Sequence, residues 1–373
     1  MLSLDGGNKN GEIVVNLESL GWNSFFSNTE EYISYTEKGL KPARILLEHK
    51  SRYDLGIEGL KLSATIAGRL RFKFNSKDQF PVVGDWVMVS ALEGENRAVI
   101  FEILPRRTVI ARKAAGPKTE AQVLAANVDT IFVVSGLDRD FNLHRIERYL
   151  VIAWNSGAQP VLVLNKEDLC PDVPAYFLEA QKVAPAVPII ITQANIGKGI
   201  DGLKPYLGGG KTAVLIGSSG VGKSSIINDL AGREVQKIKE LSKATHKGKH
   251  ATTQRPMIFL PDGGIIIDTP GMRELQIWEG EDGTDEVFSD IEKLALNCKF
   301  TDCQHETEPG CAVLTALEEG SLDIDRFENF RKLQKEAAYL ERKQNQRAAL
   351  EEKKRWKKIS QEVRLRLKEK GRE

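Results

Sequence analysis

ThrAlaValLeuIle, residues 212–216, runs without a break into GlySerSerGlyValGlyLysSerSer, residues 217–225, and this junction constrains the fold more than any other part of the sequence. Five apolar or β-branched residues in a row read as a buried strand, and the stretch after Lys223 reads as a helix. A strand that enters a helix through Gly-x4-Gly-Lys-Ser turns its backbone N–H groups inward around phosphate oxygens. Gly217, Ser218, Ser219, Gly220, Val221, Gly222, Lys223, Ser224 and Ser225 form this loop. Lys223 is set to reach the β- and γ-phosphates, and the Ser224 hydroxyl is placed to ligate a magnesium ion. The dipole of the helix adds to the attraction for anions.

AsnLysGluAsp, residues 165–168, closes a second apolar run, ValLeuValLeu at 161–164. The Asp168 carboxylate can accept two hydrogen bonds from guanine N1–H and N2–H₂, donors that adenine does not present. Lys166 can lie along the purine face, with Asn165 bracing the loop and Glu167 between them. This favours GTP and GDP over ATP and disfavours a P-loop ATPase or kinase. AspThrProGly, residues 268–271, ends GlyIleIleIle at 264–267, so Asp268 can hold a magnesium-bound water and the Gly271 N–H can sense a γ-phosphate. Between these motifs, residues 245–255 suit a mobile loop that brings a hydroxyl to magnesium, from either Thr252 or Thr253. Met272 stands where many GTPases place a water-orienting Gln, and a thioether cannot do that job. His250 is therefore the candidate for orienting the attacking water, with contact to phosphate or RNA as its other reading.

The guanine motif precedes the phosphate loop, the reverse of the ordinary order. The domain reads as circularly permuted, with the old termini joined near Gly208 to Gly210. The segment after AspThrProGly then feeds straight into the C-terminal region, which nucleotide state is expected to bias.

Strand candidates at 128–135, 160–164, 188–192, 212–216, 256–260 and 264–268, with an amphipathic helix over 142–156, predict a mainly parallel sheet covered on both faces. Upstream, short β-rich pieces at 62–68, 83–89, 98–103 and 108–112 fit a small barrel of OB type. Downstream, Cys298, Cys303, His305 and Cys311 offer three thiolates and one imidazole, a closed tetrahedral set for one structural zinc. Cys170 stands apart from that group as an ordinary thiol. The expected class is multidomain α/β: an extension over 1–54, an OB-like β-barrel over 55–114 and a circularly permuted P-loop GTPase core over 115–283. A helical zinc-binding domain over 284–345 and a basic helical tail over 346–373 complete the chain.

Charge is uneven along the chain. Residues 331–373 carry 16 Lys+Arg against 7 Asp+Glu, while the whole chain is at +1. A basic tail on an otherwise acidic protein suits a polyanionic partner, and Arg106, Arg107, Arg112 and Lys113 near the barrel's exit add to it. No run approaches the roughly 18 apolar residues of a membrane span, and the start lacks signal-peptide character, so a cytoplasmic monomer without a membrane partner is expected.

In combination these motifs resemble the circularly permuted GTPases of small ribosomal subunit biogenesis, the RsgA (YjeQ) type. The likeness runs from about 55 to 345, through ProValValGlyAspTrpVal (81–87), the permuted motif order, GlyLysHis before the switch threonines, and GluProGlyCysAlaVal (308–313). It implies GTP hydrolysis stimulated by the small ribosomal subunit and its rRNA during late maturation, with Mg²⁺ accompanying GTP and Zn²⁺ in the C-terminal domain. It also implies guanine contact at Ala194. Two positions depart from the pattern: Ala251 replaces the first of a run of threonines, and Gln193 stands where a serine is usual. The remaining alternative is a zinc and OB RNA-binding module in which guanine nucleotide is a structural or regulatory ligand with little turnover.

Overall fold

The computed structural model describes residues 16–58, 60–92, 95–113, 121–235, 256–268, 282–339 and 342. Five strands, β1 (Lys41–Glu48), β2 (Tyr53–Ile57), β3 (Leu60–Ile66), β4 (Trp86–Ala91) and β5 (Arg97–Ile103), close into a barrel in the order β1-β2-β3-β5-β4. β4 pairs back onto β1, and β3 runs parallel to β5. Closure removes the sheet edges that an open five-stranded sheet would expose. Ile45, Leu55, Leu62, Val87 and Ile100 fill its interior.

The barrel begins earlier than the sequence reading placed it. β1 lies within residues 1–54, where the sequence predicts an extension; its alternation is hidden because both of its faces are buried over 43–47. The strand expected at 108–112 is also not a barrel strand. It is β6 (Val109–Lys113), paired antiparallel with β7 (Ala121–Ala126) in a separate two-stranded sheet, so a boundary at 114/115 would cut a hairpin.

The second sheet has the order β10-β9-β8-β11-β13-β12, formed by β8 (Thr130–Gly136), β9 (Gln159–Asn165), β10 (Ile189–Ile191), β11 (Thr212–Ile216), β12 (Met257–Phe259) and β13 (Ile265–Ile267). All pairs are parallel except β12 with β13. Alternate side chains go to opposite faces. Ile131, Val133, Leu162 and Leu164 join the core that includes Ile146 and Leu150 of the helix Leu143–Asn155, while Phe132, Val134, Val161 and Val163 meet Ile226 and Ile227 of the helix Lys223–Ala231. The Asn142 side chain accepts the Arg145 N–H and starts the first of these helices.

Of the C-terminal helices, Ser289–Ala295 packs against Ala312–Glu318, while Asp282–Val287 and a further helix over 324–339 dock on Leu143–Asn155. Phe288, Ile291, Phe330 and Leu333 share its core. Arg326 holds the contact together: it donates to Glu147, to Asp290 and to the Val287 carbonyl, and Asn329 also donates to Glu147.

Arg44, at 1% exposure, joins the N-terminal extension, the barrel and the turn at Asn127 that leads into the second sheet. It donates to the carbonyls of Leu20, Gly84 (3.3 Å) and Asn127 (3.0 Å). Burial pushes its guanidinium down to about 10, so it stays charged at neutral pH. Arg44→Met keeps the aliphatic bulk but strands these acceptors, and an isolated buried acceptor costs about 1–3 kcal/mol. The expected result is a clearly lower urea midpoint; a midpoint equal to the parent's contradicts the stapling role.

Candidate functional site

Strand order in the second sheet reverses between β8 and β11: the chain steps outward from β8 through β9 to β10 on one side, and from β11 it crosses to the edge strand β12 and returns through β13 on the other. Such a reversal opens a crevice at the carboxyl ends of the two central strands. The sequence motifs gather there, because β9 ends at Asn165, β11 runs into Gly217 and β13 ends one residue before Asp268.

The phosphate loop is shaped by what its glycines permit. Gly217 has φ 151°, and a Cβ there would sit 2.2 Å from the Val134 carbonyl; at Gly222 (φ 102°) it would sit 2.1 Å from Asn165 Nδ2. Lys223 Nζ donates to the Gly217 and Ser218 carbonyls at 2.8 and 2.6 Å, placing an ammonium inside the loop. The helix that begins at Lys223 has Gly222 as its N-cap and no side-chain cap. Its first N–H groups therefore depend on partners outside the helix, which favours an anion. Val221 is buried, Ser219 and Gly220 are exposed, and Ser218, Ser224 and Ser225 are half-buried.

Asn165 is the joint of the site. Buried to 2% exposure, it donates from Nδ2 to the Val221 carbonyl (2.8 Å) and accepts at Oδ1 from Thr192 Oγ1 and from the Ala194 N–H, both at 3.0 Å. One amide thus ties the guanine motif to the phosphate loop and to the segment holding Ala194. Lys166 follows in the left-handed region at φ 65°, a conformation that costs a non-glycine residue on the order of 1 kcal/mol. Its ammonium meets Asp138 Oδ2 at 2.7 Å. Glu167 pairs with Lys198 at 2.8 Å, and Asp168 lies exposed in the short turn Glu167–Leu169.

Sequence reasoning missed Asp138 and Asp140. Asp140 accepts from the Ser218 hydroxyl and pairs with Arg145. Burial works against the charge on Asp138, but hydrogen bonds from Lys166 and from the Asp140 N–H hold its carboxyl below the usual range. The available signal was LeuAspArgAsp directly after a buried strand, at the same sheet end as the other motifs. His250, Thr252, Thr253, Gly271 and Met272 lie outside the described residues.

Cys298, Cys303, His305 and Cys311 converge as expected. Their ligand atoms all lie within 4.8 Å of one another, with Cys298 Sγ to Cys311 Sγ at 3.8 Å and His305 Nδ1 to Cys311 Sγ at 3.3 Å. A tetrahedral ion with metal–sulfur bonds of about 2.3 Å needs ligand atoms about 3.8 Å apart, so the donors fit a metal. Burial lowers the His305 pKa and favours the neutral imidazole that ligates.

Three basic residues expected to face a polyanion are engaged internally. Arg106 forms a bidentate pair with buried Asp85 and donates to the Asp78 and Phe80 carbonyls, Arg107 pairs with Asp129, and Arg112 bonds Gln122. A buried carboxylate demands a partner, which is what retains Arg106. The Lys113 side chain and the tail beyond 342 lie outside the described residues. Among the described residues no helix is long and apolar enough to cross a membrane.

Comparison with known proteins agrees with this geometry. The family model described as RsgA GTPase matches residues 103–278. A small ribosomal subunit biogenesis GTPase RsgA from Opitutus terrae is 45% identical over 95% of this chain and 99% of its own length. RsgA 1 from Oceanobacillus iheyensis is 44% identical over 85% of this chain and 91% of its own. Among solved structures, YjeQ from Thermotoga maritima superposes with a TM-score of 0.60 at 27% identity, over 79% of this chain and 97% of that one. YloQ, described as a circularly permuted GTPase, gives 0.56 at 23% identity over 80% and 95%, a likeness of fold. The reversed motif order, the convergence of those motifs on one crevice and identity of this extent lead to one assignment: the chain belongs to the RsgA GTPase family.

Proposed function

We propose that the chain hydrolyses GTP to GDP and phosphate while assisting maturation of the small ribosomal subunit, and that the subunit stimulates the hydrolysis. The observation that carries this reading is the Asn165 amide, which couples a guanine-type turn to a phosphate-type loop across the permuted sheet.

In this reading the N–H groups of Gly217 to Ser225 and the Lys223 ammonium hold the phosphates. Asp168 reads the guanine edge, Lys166 lies along its face, and Ala194 and Glu167 complete that side. Ser224, Asp268 and one of Thr252 and Thr253 would hold magnesium, which supplies charge neutralisation at the phosphates when bound. Gly271 senses the γ-phosphate and His250 orients the attacking water. Phosphoryl transfer depends on such positioning and charge stabilisation more than on covalent chemistry. The four ligands at 298–311 hold one zinc as a staple, since four protein donors leave no open position for substrate. The proposed division keeps the permuted core through 283, the helical metal module over 284–345 and the basic tail from 346, which supplies attraction to rRNA.

Three outcomes test this. GTP hydrolysis should be slow alone, rise at least tenfold with small ribosomal subunits, and lose that gain as salt increases; a rate indifferent to subunits favours a binding module instead. Asn165→Ala should weaken GDP binding at least tenfold in a fluorescence titration, because the Val221 carbonyl and the Ala194 N–H lose their partner. Elemental analysis should find one zinc per chain, and its removal by a chelator should lower the unfolding temperature while GDP affinity is retained.

A further inference from the structure

Asp138 lies on the loop that leaves the central strand β8, at the reversal of strand order, and takes no part in the motifs read from the sequence. Its two carboxylate oxygens do different things. Oδ1 accepts the Asp140 N–H at 3.0 Å and shapes the turn; Oδ2 faces the Lys166 ammonium at 2.7 Å. Both side chains are about one-fifth exposed, at 22% and 23%, so the pair is largely shielded from solvent screening. The approach is made possible by Gly136, where a Cβ would stand 2.6 Å from Asp138 Oδ1 and 3.6 Å from the Lys166 side chain.

Lys166 needs such support. Its backbone is in the left-handed region, and a lysine stem is among the side chains that lose most rotamer freedom when ordered. A residue that must lie flat against a purine binds better when that freedom has been removed beforehand. The same loop also reaches the phosphate side, since Asp140 accepts from the Ser218 hydroxyl and is held by Arg145. The loop after β8 therefore touches both the base-reading turn and the phosphate loop.

We propose that Asp138 is a positioning residue for guanine nucleotide: its Oδ2 pins the Lys166 ammonium so that the lysine stem is pre-set along the base. This rests on the guanine reading given above. It concerns a residue that acts through Lys166 and does not itself meet the nucleotide.

The two oxygens separate this role from a merely structural one. Asp138→Asn keeps an oxygen to accept the Asp140 N–H, and so preserves the turn, but turns an amide NH₂ toward the ammonium. The test is a titration with a fluorescent GDP analogue of the full-length parent, Asp138→Asn, Lys166→Ala and the double variant, with unfolding midpoints measured alongside. Asp138→Asn should keep the parent midpoint and bind about tenfold more weakly. On the Lys166→Ala background the same change should cost less than twofold, because a residue acting through another adds nothing once that other is gone. Parent-like binding by Asp138→Asn, or a tenfold loss that persists without Lys166, overturns the proposal and leaves the guanine reading standing. A parent chain that binds no GDP overturns both.

Discussion

Because Gly222 carries no Cβ, the Asn165 amide can come within hydrogen-bonding range of the phosphate loop, and the rest of the crevice is arranged around that contact. A buried amide has two donors and an acceptor oxygen to satisfy, and leaving them unpaired is expensive. Here the Val221 carbonyl in the phosphate loop and the Thr192 hydroxyl and Ala194 N–H in the segment after β10 pair with it, so the guanine-type turn that carries Asn165 is tied to two further loops. Satisfying one side chain therefore fixes three loops relative to one another. Glu167 and Lys198 repeat the tie between two of them nearer the surface.

Away from the crevice the domains are held by buried charge as well as by apolar contact. Arg44 fixes the extension and the barrel against the turn at Asn127, and Arg326 fixes the metal-bearing helices against Glu147 on the helix that follows β8. Breaking such a contact by removing one partner is costly, so each orients its domain as well as attaching it. Apolar packing continues across both junctions: Trp86 and Leu46 from the barrel, Val133 from the sheet, Leu150 from the helix Leu143–Asn155 and Phe330 from the C-terminal helix belong to one continuous core.

The sheet, the motif order and the four metal ligands were legible in the sequence because each has a local signature: period, glycine spacing, or clustered sulfur and nitrogen donors. What escaped was non-local. β1 was missed because its outward face is covered by the extension and by the turn at Asn127, which erases the alternation that marks a half-buried strand. Arg106 carries no local mark of its role, because the buried carboxylate that holds it, Asp85, stands 21 residues earlier in the chain. Asp138 and Asp140 carry no motif at all; their importance comes from sharing a sheet end with Lys166 and Ser218, which lie 28 and 78 residues further along.

Permutation also sets the order in which the crevice can be completed during synthesis. β8, β9 and β10, with the guanine-type turn, leave the ribosome before β11 and the phosphate loop. Yet β8 sits beside β11, so the early half emerges with its inner strand edge still unpaired. That edge waits for about 80 further residues. Nucleotide cannot stabilise the nascent half, because the groups that grip phosphate do not yet exist. In an unpermuted chain the phosphate loop comes first. The contact available upstream in its place is with the barrel, through Arg44 and the Asn127 carbonyl just ahead of β8.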